Sequence, residues 1–536
     1  MNLEADIAIV GSGFAGSLCA MIARRLGHSV VLLERGSHPR FAIGESSTPL
    51  ANLLLEELAQ RYDLPSLLPL TKWGSWQKHH PGIGCGLKRG FTFYHHESGQ
   101  MWQPEPERRN ELLVAASPHD VIADTHWYRP DFDSFLASEA QRLGAQYLDQ
   151  TQLNAASIGE DSAHLSGERG GQSIEVRARF VIDASGPRGF LQRTLGLGES
   201  SFATLPRTQA LFAHFKGVQR WDASHDTSET PPYPVDDAAL HHVFEGGWIW
   251  VLRFNNGLTS AGAALTDSLA EEIRIADGAP AWDRLLARLP SVREQFAAAT
   301  PCTPFVHSPQ VSFRNTNAAG ERWAMLPSAA GFVDPLLSTG FPLALLGVER
   351  LMRLLNAEWE SPALASSLQR YSSLTLDELD ITAALVNALY AHLGDFEMFA
   401  ALTQLYFAAA MFAETQRRLG CGGEDQTFLM QHHSQFGPAS RECLRRAAER
   451  VQSHERTTLL RDLAAAIDPI NVGGLADPAQ RNWYPARAED LLEAAPKLGV
   501  SQTAIATLLA RCGFAPPAGG EAPSCNNSFG IDASGA

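Results

Sequence analysis

Basic residues are scarce in this chain. Its 43 Lys and Arg face 59 Asp and Glu, a formal net charge of −16 over 536 residues. That sign opposes electrostatic affinity for phosphate backbones and anionic lipid heads, so no nucleic acid partner is expected. Cysteine is sparse as well. The seven residues, Cys19, Cys85, Cys302, Cys421, Cys443, Cys512 and Cys525, form no CxxC pair and no Cys/His metal spacing, so reduced thiols and no metal centre are expected. No apolar run reaches the roughly 20 residues of a membrane span. Residues 1–6 lack the basic n-region and apolar stretch of a signal peptide, and the expectation is a cytoplasmic protein. There is no internal repeat, and no serine sits in a G-x-S-x-G elbow, so hydrolysis has no support. What is present is apolar: hydrophobic residues make up 45% and charged ones 19%, which gives a globular chain of two or three packed units.

The strongest organisation lies at the start. Ile7-Ala8-Ile9-Val10 reads as a strand and meets Gly11-Ser12-Gly13-Phe14-Ala15-Gly16. A small-residue helix follows to Arg25, and Val30-Val31-Leu32-Leu33 ends at Glu34 and Arg35. A bare GxGxxG is weak, but between strand and helix, with an acidic residue closing the second strand, it is a dinucleotide fingerprint. Gly11 permits the turn, Gly13 lets a pyrophosphate approach, and Gly16 lets helix pack on strand, so the phosphates meet the helix N-terminus. Glu34 is placed to accept from a ribose diol and repels a 2′-phosphate, which favours FAD or NAD over NADP.

Further along, residues 73–100 are rich in Gly, His and aromatics and read as loop and edge strand. Residues 142–186 read as short strands ending in Asp183-Ala184-Ser185-Gly186, and strand signals return over 208–265 and 311–325. A helical run covers 343–355, and from 364 to 509 the pattern is helical throughout. The tail from Pro516 reads as unstructured.

Three separated segments resemble the FAD signatures of the aromatic hydroxylase fold: the fingerprint, Asp183 to Gly186, and Ala330-Gly331-Phe332-Val333-Asp334-Pro335. Four more are similar to the flavin-dependent halogenases: Gly44-Glu45-Ser46-Ser47-Thr48-Pro49, Lys88-Arg89-Gly90-Phe91-Thr92-Phe93, Trp248-Ile249-Trp250, and Leu336-Leu337-Ser338-Thr339-Gly340 after Asp334-Pro335. The likeness covers about residues 1–355. It implies an α/β fold: a Rossmann-type FAD-binding domain, discontinuous over about 1–75, 120–200 and 310–355. A β-sheet substrate domain is inserted at about 76–119 and 201–309, and a helical C-terminal region occupies 356–515. The cofactor is FAD, held by Gly11, Gly13, Phe14, Ala15, Gly16, Glu34, Arg35, Ser46, Arg129, Asp183, Gly186, Asp334, Pro335, Ser338, Thr339 and Gly340. Arg129, before Phe132 and Asp133, matches an R-x-x-F-D element that supports the flavin; unaided, such a pair reads as a surface ion pair.

In that family the lysine of K-x-G-x-x-F, here Lys88, projects between flavin and substrate and directs hypohalous acid formed when halide meets the flavin C4a-hydroperoxide. Phe93, His95, Trp248 and Trp250 are the implied substrate pocket; since His95 and His96 alternate along a strand, at most one faces it. Several positions depart from the pattern. Arg253 replaces the proline of W-x-W-x-I-P, Leu337 replaces the glutamate of free-tryptophan halogenases, and Pro327-Ser328 replaces a Gly-acidic step. Free tryptophan is thereby disfavoured, leaving an indole, phenol or pyrrole, as a small molecule or on a carrier or partner protein. Two departures against two retained features lean towards a monooxygenase that hydroxylates such a ring with dioxygen, with halogenation through Lys88 as the alternative. A non-oxygenating FAD reductase is the rival, and it has no need of Lys88. Reducing electrons come either from a separate flavin reductase or from transient NAD(P)H.

Overall fold

The computed structural model describes residues 1–225, 229–423, 425–449 and 453–515. The expected unstructured tail from Pro516, and Cys525 with it, lie outside the described residues. The N-terminal unit forms as its pattern dictates: β1 (Asn2–Val10), α1 (Phe14–Arg25) and β2 (Val30–Leu33). Val30 to Leu33 are buried throughout and carry no polar alternation, the mark of a parallel strand covered on both faces. β1 pairs in parallel with β2 and with the strand Gln172–Asp183, which pairs in turn with Trp323–Met325. Val10 lies opposite both Leu33 and Asp183. One residue further on, Gly11, Glu34 and Ala184 therefore leave the sheet together at its C-terminal edge, where open α/β sheets bind ligands.

Among the described residues the second sheet has nine strands. Residues 73–100, expected as loop and edge strand, instead supply a helix, Trp73–His79, then β3 (Cys85–Lys88) and β4 (Gly90–His96). β4 is an inner strand, paired in parallel with Ala239–Phe244 and antiparallel with β5 (Glu111–Ala115). Its histidines and aromatics are packing groups for two buried faces, not edge polarity. β3 pairs antiparallel with β6 (Asp124–Trp127), and Lys88 is set opposite Asp124. Arg253 ends the strand Gly247–Arg253, and residues 255–257 turn it tightly into Thr259–Thr266.

The helical region does more than follow the sheets. Phe91, Phe93 and His95 project from one face of β4 and meet Phe407, Phe399 and Phe396 at ring separations of 5.0, 5.8 and 5.5 Å. All three partners lie on the helix Phe396–Arg418, which roofs this face of the sheet. That helix is long and apolar enough to cross a membrane by length and composition, contrary to the expectation that no stretch would be, yet 78% of its apolar window is buried inside the protein. Trp483–Tyr484 adds a short strand alongside β5.

Candidate functional site

At the edge of the parallel sheet lies a cavity of about 290 Å³ lined by Gly11, Glu34, Arg35, Arg40, Ser185 and Arg193, among others. Gly11 has φ of +102°, and a Cβ on it would lie 2.4 Å from the Ala184 carbonyl oxygen; a Cβ on Gly16 would lie 2.0 Å from the Gly11 oxygen. Neither position admits a side chain. Three guanidinium groups in the lining of an otherwise acidic protein suit a pyrophosphate. Glu34 is buried and accepts from Ser12 N and Oγ at 3.0 Å, from Gly36 N at 2.9 Å and from Arg40 at 3.2 Å. Burial alone would raise its pKa, but Arg40 and the amide donors outweigh it and hold the carboxylate below its usual range. Among the described residues, His38 Nδ1 and Arg40 Nε are buried beside it without hydrogen-bond partners, polar capacity that a bound nucleotide can use. The residues fit an FAD.

Phe14 and Ala15 are buried at the start of α1, and Phe14 packs edge-on against Trp127 and Phe341. Arg35 is exposed at the cleft. Asp183 accepts from Ser185 N and Oγ and from Leu191 N, at 2.9, 2.6 and 2.6 Å. Its carboxylate thus orders the turn through Gly186, which has φ of +82°. Arg129 is not a surface pair. It is buried, grips Asp133 with two bonds of 2.7 Å, and donates to the Ile43 and Gly44 carbonyls at 3.2 and 2.9 Å. A Cβ on Gly13 would lie 3.5 Å from its guanidinium, so Arg129 ties the glycine turn to the segment that carries Ser46.

Asp334 is fully buried; its Oδ1 accepts from Leu336 N at 3.0 Å and its Oδ2 from Tyr390 Oη at 2.9 Å. Trp248 Nε1 donates in turn to Tyr390 Oη at 3.1 Å. Burial pushes the Asp334 carboxyl up to about 7 against these donors. After Pro335, Leu337 and Ser338 both take left-handed φ, +64° and +56°, a conformation non-glycine residues avoid. Tyr406 Oη fixes the Leu337 carbonyl at 2.7 Å. Thr339 stands at the start of the helix Gly340–Glu358 without a side-chain cap bond, and the first N–H groups of that helix have no intrahelical acceptor.

Lys88 has no solvent exposure. Its Nζ donates to Ser46 Oγ at 2.8 Å and to the Ser47 carbonyl at 2.5 Å, and lies 3.7 Å over the Phe91 ring. Burial lowers its pKa to about 7 against the pull of Asp124, and burial raises Asp124 to about 7 in turn. Asp124 takes a hydrogen bond from Asn52 at 2.8 Å, and among the described residues its other oxygen has no hydrogen-bond partner. The loop then leads to Thr48, Pro49 and Leu50 in the wall of a second, apolar cavity of about 50 Å³, which Phe91, Val114 and Tyr406 also line. One stretch, residues 43–50, thus runs from Arg129 beside the glycine turn, past the lysine, to this cavity. Glu45 on it lies 2.8 Å from His214 Nε2, and Thr48 caps the helix Pro49–Arg61, accepting from Ala51 N at 3.3 Å.

Of the expected pocket residues, Phe93 is buried and stacked on His241 at 4.5 Å, and His95 faces Phe396 under the roof helix. His96 points to the opposite side and bonds His242 at 2.9 Å. Trp250 packs over Gly262, where a Cβ would meet its ring at 2.4 Å. None of Phe93, His95, Trp248 and Trp250 is in the wall of the apolar cavity; Phe91, one side-chain step nearer Lys88, is. Asn52, Asp124, Tyr390, Tyr406 and Glu414 join the site without any local motif to announce them. Only their registers in distant elements bring them there.

Known proteins share this sequence pattern and fold. A sequence profile for tryptophan halogenases matches residues 123–392, about half of the chain, and one for NAD(P)-binding Rossmann-like domains matches residues 9–52. Monodechloroaminopyrrolnitrin halogenase PrnC of Pseudomonas fluorescens is 28% identical over 419 residues, 76% of this chain and 72% of the relative. Tetracycline 7-halogenase of Kitasatospora aureofaciens is 32% identical over 346 residues, 62% of this chain and 60% of the relative. The crystal structure of halogenase PltM in complex with phloroglucinol and FAD superposes with a TM-score of 0.76 at 24% identity, over 89% of this chain and 99% of the other. At that identity the likeness is one of fold.

Proposed function

This chain belongs to the tryptophan halogenase family and is an FAD-dependent oxidoreductase, and from that premise we propose that it halogenates an electron-rich aromatic ring through Lys88. The observation that carries this reading is a lysine without solvent exposure, held by the loop that joins the dinucleotide turn to an apolar cavity. The relatives named for halogenation support it over the hydroxylation towards which the sequence departures lean. Arg253, one of those departures, is occupied by Asp236 at 3.0 Å and the Val218 carbonyl at 2.9 Å. Its presence leaves Trp248 and Trp250 buried.

Gly11 to Gly16 and the segment Asp334 to Gly340 would hold FAD, which in its reduced form with dioxygen would supply the two-electron oxidation that turns halide into hypohalous acid. The helix N-terminus at Thr339 and Gly340 favours the halide's negative charge. Lys88, kept in place by Ser46 and the Ser47 carbonyl, turns its third ammonium hydrogen from the Phe91 face to the hypohalous oxygen. The substrate carbon takes the halogen and gives up its proton, and water leaves. Burial under the roof helix keeps bulk water from competing.

The test supplies the full chain with FAD, a reductase, bromide and a panel of phenols, indoles and pyrroles, and reads products by mass. Brominated product with wild type and at least about a hundred-fold less with Lys88→Ala, at equal flavin content, is the expected result. Hydroxylated product independent of bromide and unaffected by Lys88→Ala returns the chain to the monooxygenase reading.

A further inference from the structure

Lys88 and Asp124 face each other across the antiparallel pair of β3 and β6, so their side chains leave it on one face with Cβ atoms roughly 5 Å apart. Both are buried, yet among the described residues no hydrogen bond joins them. Lys88 Nζ is tied to Ser46 Oγ and the Ser47 carbonyl, and Asp124 accepts from Asn52 Nδ2. One short segment supplies all of these partners. Ser46 and Ser47 lead through Thr48 into the helix Pro49–Arg61, on which Asn52 lies, and Ser47 Oγ also donates to the Thr125 carbonyl of β6 at 2.7 Å. The segment thus fixes the lysine and the carboxyl group side by side without joining them. Resting on the halogenase reading, we propose that Asp124 is a positioning residue for it, which keeps Lys88 an ammonium through space and leaves one hydrogen free to turn from Phe91 to the hypohalous oxygen.

An ammonium without solvent exposure has lost its hydration, and a nearby anion restores part of that loss, because charges attract most strongly where water is excluded. A direct ion pair would restore more, but it would also occupy the hydrogen that the reaction needs. The other charges around the pair are spent or neutral. Glu414 and Arg418 of the roof helix act on Asp124 with opposite signs and bond each other at 2.6 Å. Burial drives His126 on β6 well below the usual histidine range and His241 on Ala239–Phe244 down to about 3, so both rings are neutral. Arg89, next to Lys88, turns to Asp120 at 2.6 Å, and Glu45 to His214 at 2.8 Å. Asp124 is left as the acidic group facing the lysine: burial lowers Lys88 to about 7, and Asp124 opposes that fall.

The chain has five lysines, Lys72, Lys78, Lys88, Lys216 and Lys497, few enough to follow each by nuclear magnetic resonance in the FAD-loaded full chain, labelled with carbon-13 at lysine Cε. Lys88→Met assigns the Lys88 signal. In wild type that signal should titrate near pH 7, roughly three pH units below an ordinary lysine. Asp124→Asn keeps the shape of the side chain and an oxygen for Asn52. Its Lys88 inflection should fall by about one pH unit or more, and bromination at pH 7 should slow by about ten-fold. Asn52→Ala, which leaves the carboxylate without its donor, should shift both in the same direction by less. Flavin content and melting temperature report whether each variant is folded. An inflection that stays in place in folded Asp124→Asn overturns the inference, and if that variant does not fold, an unmoved inflection in folded Asn52→Ala does so. A shifted inflection beside an unchanged bromination profile also overturns it. A shifted inflection in a chain whose wild type brominates nothing keeps the hold of Asp124 on Lys88 and removes the halogenase reading.

Discussion

Lys88 Nζ meets two oxygen acceptors and the face of Phe91 while carrying no solvent exposure. An ammonium satisfies all three contacts with its hydrogens, whereas an amine forfeits the attraction to the ring. Burial brings its pKa to about 7, so the protonated fraction falls as pH rises through that value. If the ammonium holds the hypohalous oxygen, halogenation declines above about pH 7, by up to roughly ten-fold per pH unit, and Lys88→Met loses the inflection. A pH–rate profile that climbs through the same range would assign the step to the free amine. At this scale the sequence is informative where chemistry is local. The K-x-G-x-x-F spacing marks Lys88, and the fingerprint marks Gly11 to Gly16 and Glu34. Asp124 escapes notice because only the pairing of β3 with β6 sets it opposite the lysine. Arg129 looks like a surface pair until the fold buries it beside Gly13.

Among elements, the turn after Asp334 shows how the helical region acts on the site. Leu337 and Ser338 hold φ of +64° and +56° in succession, which costs free energy unless neighbours impose it. The hydrogen bond from Tyr406 to the Leu337 carbonyl is such a constraint. Tyr406→Phe should destabilise the fold by about 1 to 2 kcal/mol. It should also raise the halide KM several-fold while leaving flavin content intact, because the displaced backbone is the one that leads into Thr339 and Gly340. Thermal melts and a bromide titration check this, and an unaltered halide KM would detach Tyr406 from the turn. The Rossmann unit is legible because its strand, turn and helix follow one another within residues 2–33. β4 is not, since alternating aromatics and histidines resemble an edge until both neighbours are in place. The helix Phe396–Arg418 is plain as a helix, yet its periodicity is silent about which sheet face it covers.

Across the whole molecule, the C-terminal region completes the first two thirds. Phe396, Phe399 and Phe407 cover His95, Phe93 and Phe91, Tyr390 bonds Asp334, and Trp483–Tyr484 extends the sheet beyond β5. Ending the chain after Asp395 would expose one face of β4 and the wall of the apolar cavity, an uncovered aromatic surface of the kind that drives association. Such a shortened chain should bind a hydrophobic dye, aggregate, and lose FAD, even though every residue of the dinucleotide fingerprint remains. If instead it stayed monomeric, yellow, and as heat-stable as the full chain, the roof helix would be an appendage and the chamber at Lys88 would close by other means. The expected outcome follows from burial: Phe93 and Lys88 have no solvent exposure in the complete chain. Water admitted over β4 would return the lysine towards its ordinary pKa and remove the setting that separates this amine from one on the surface.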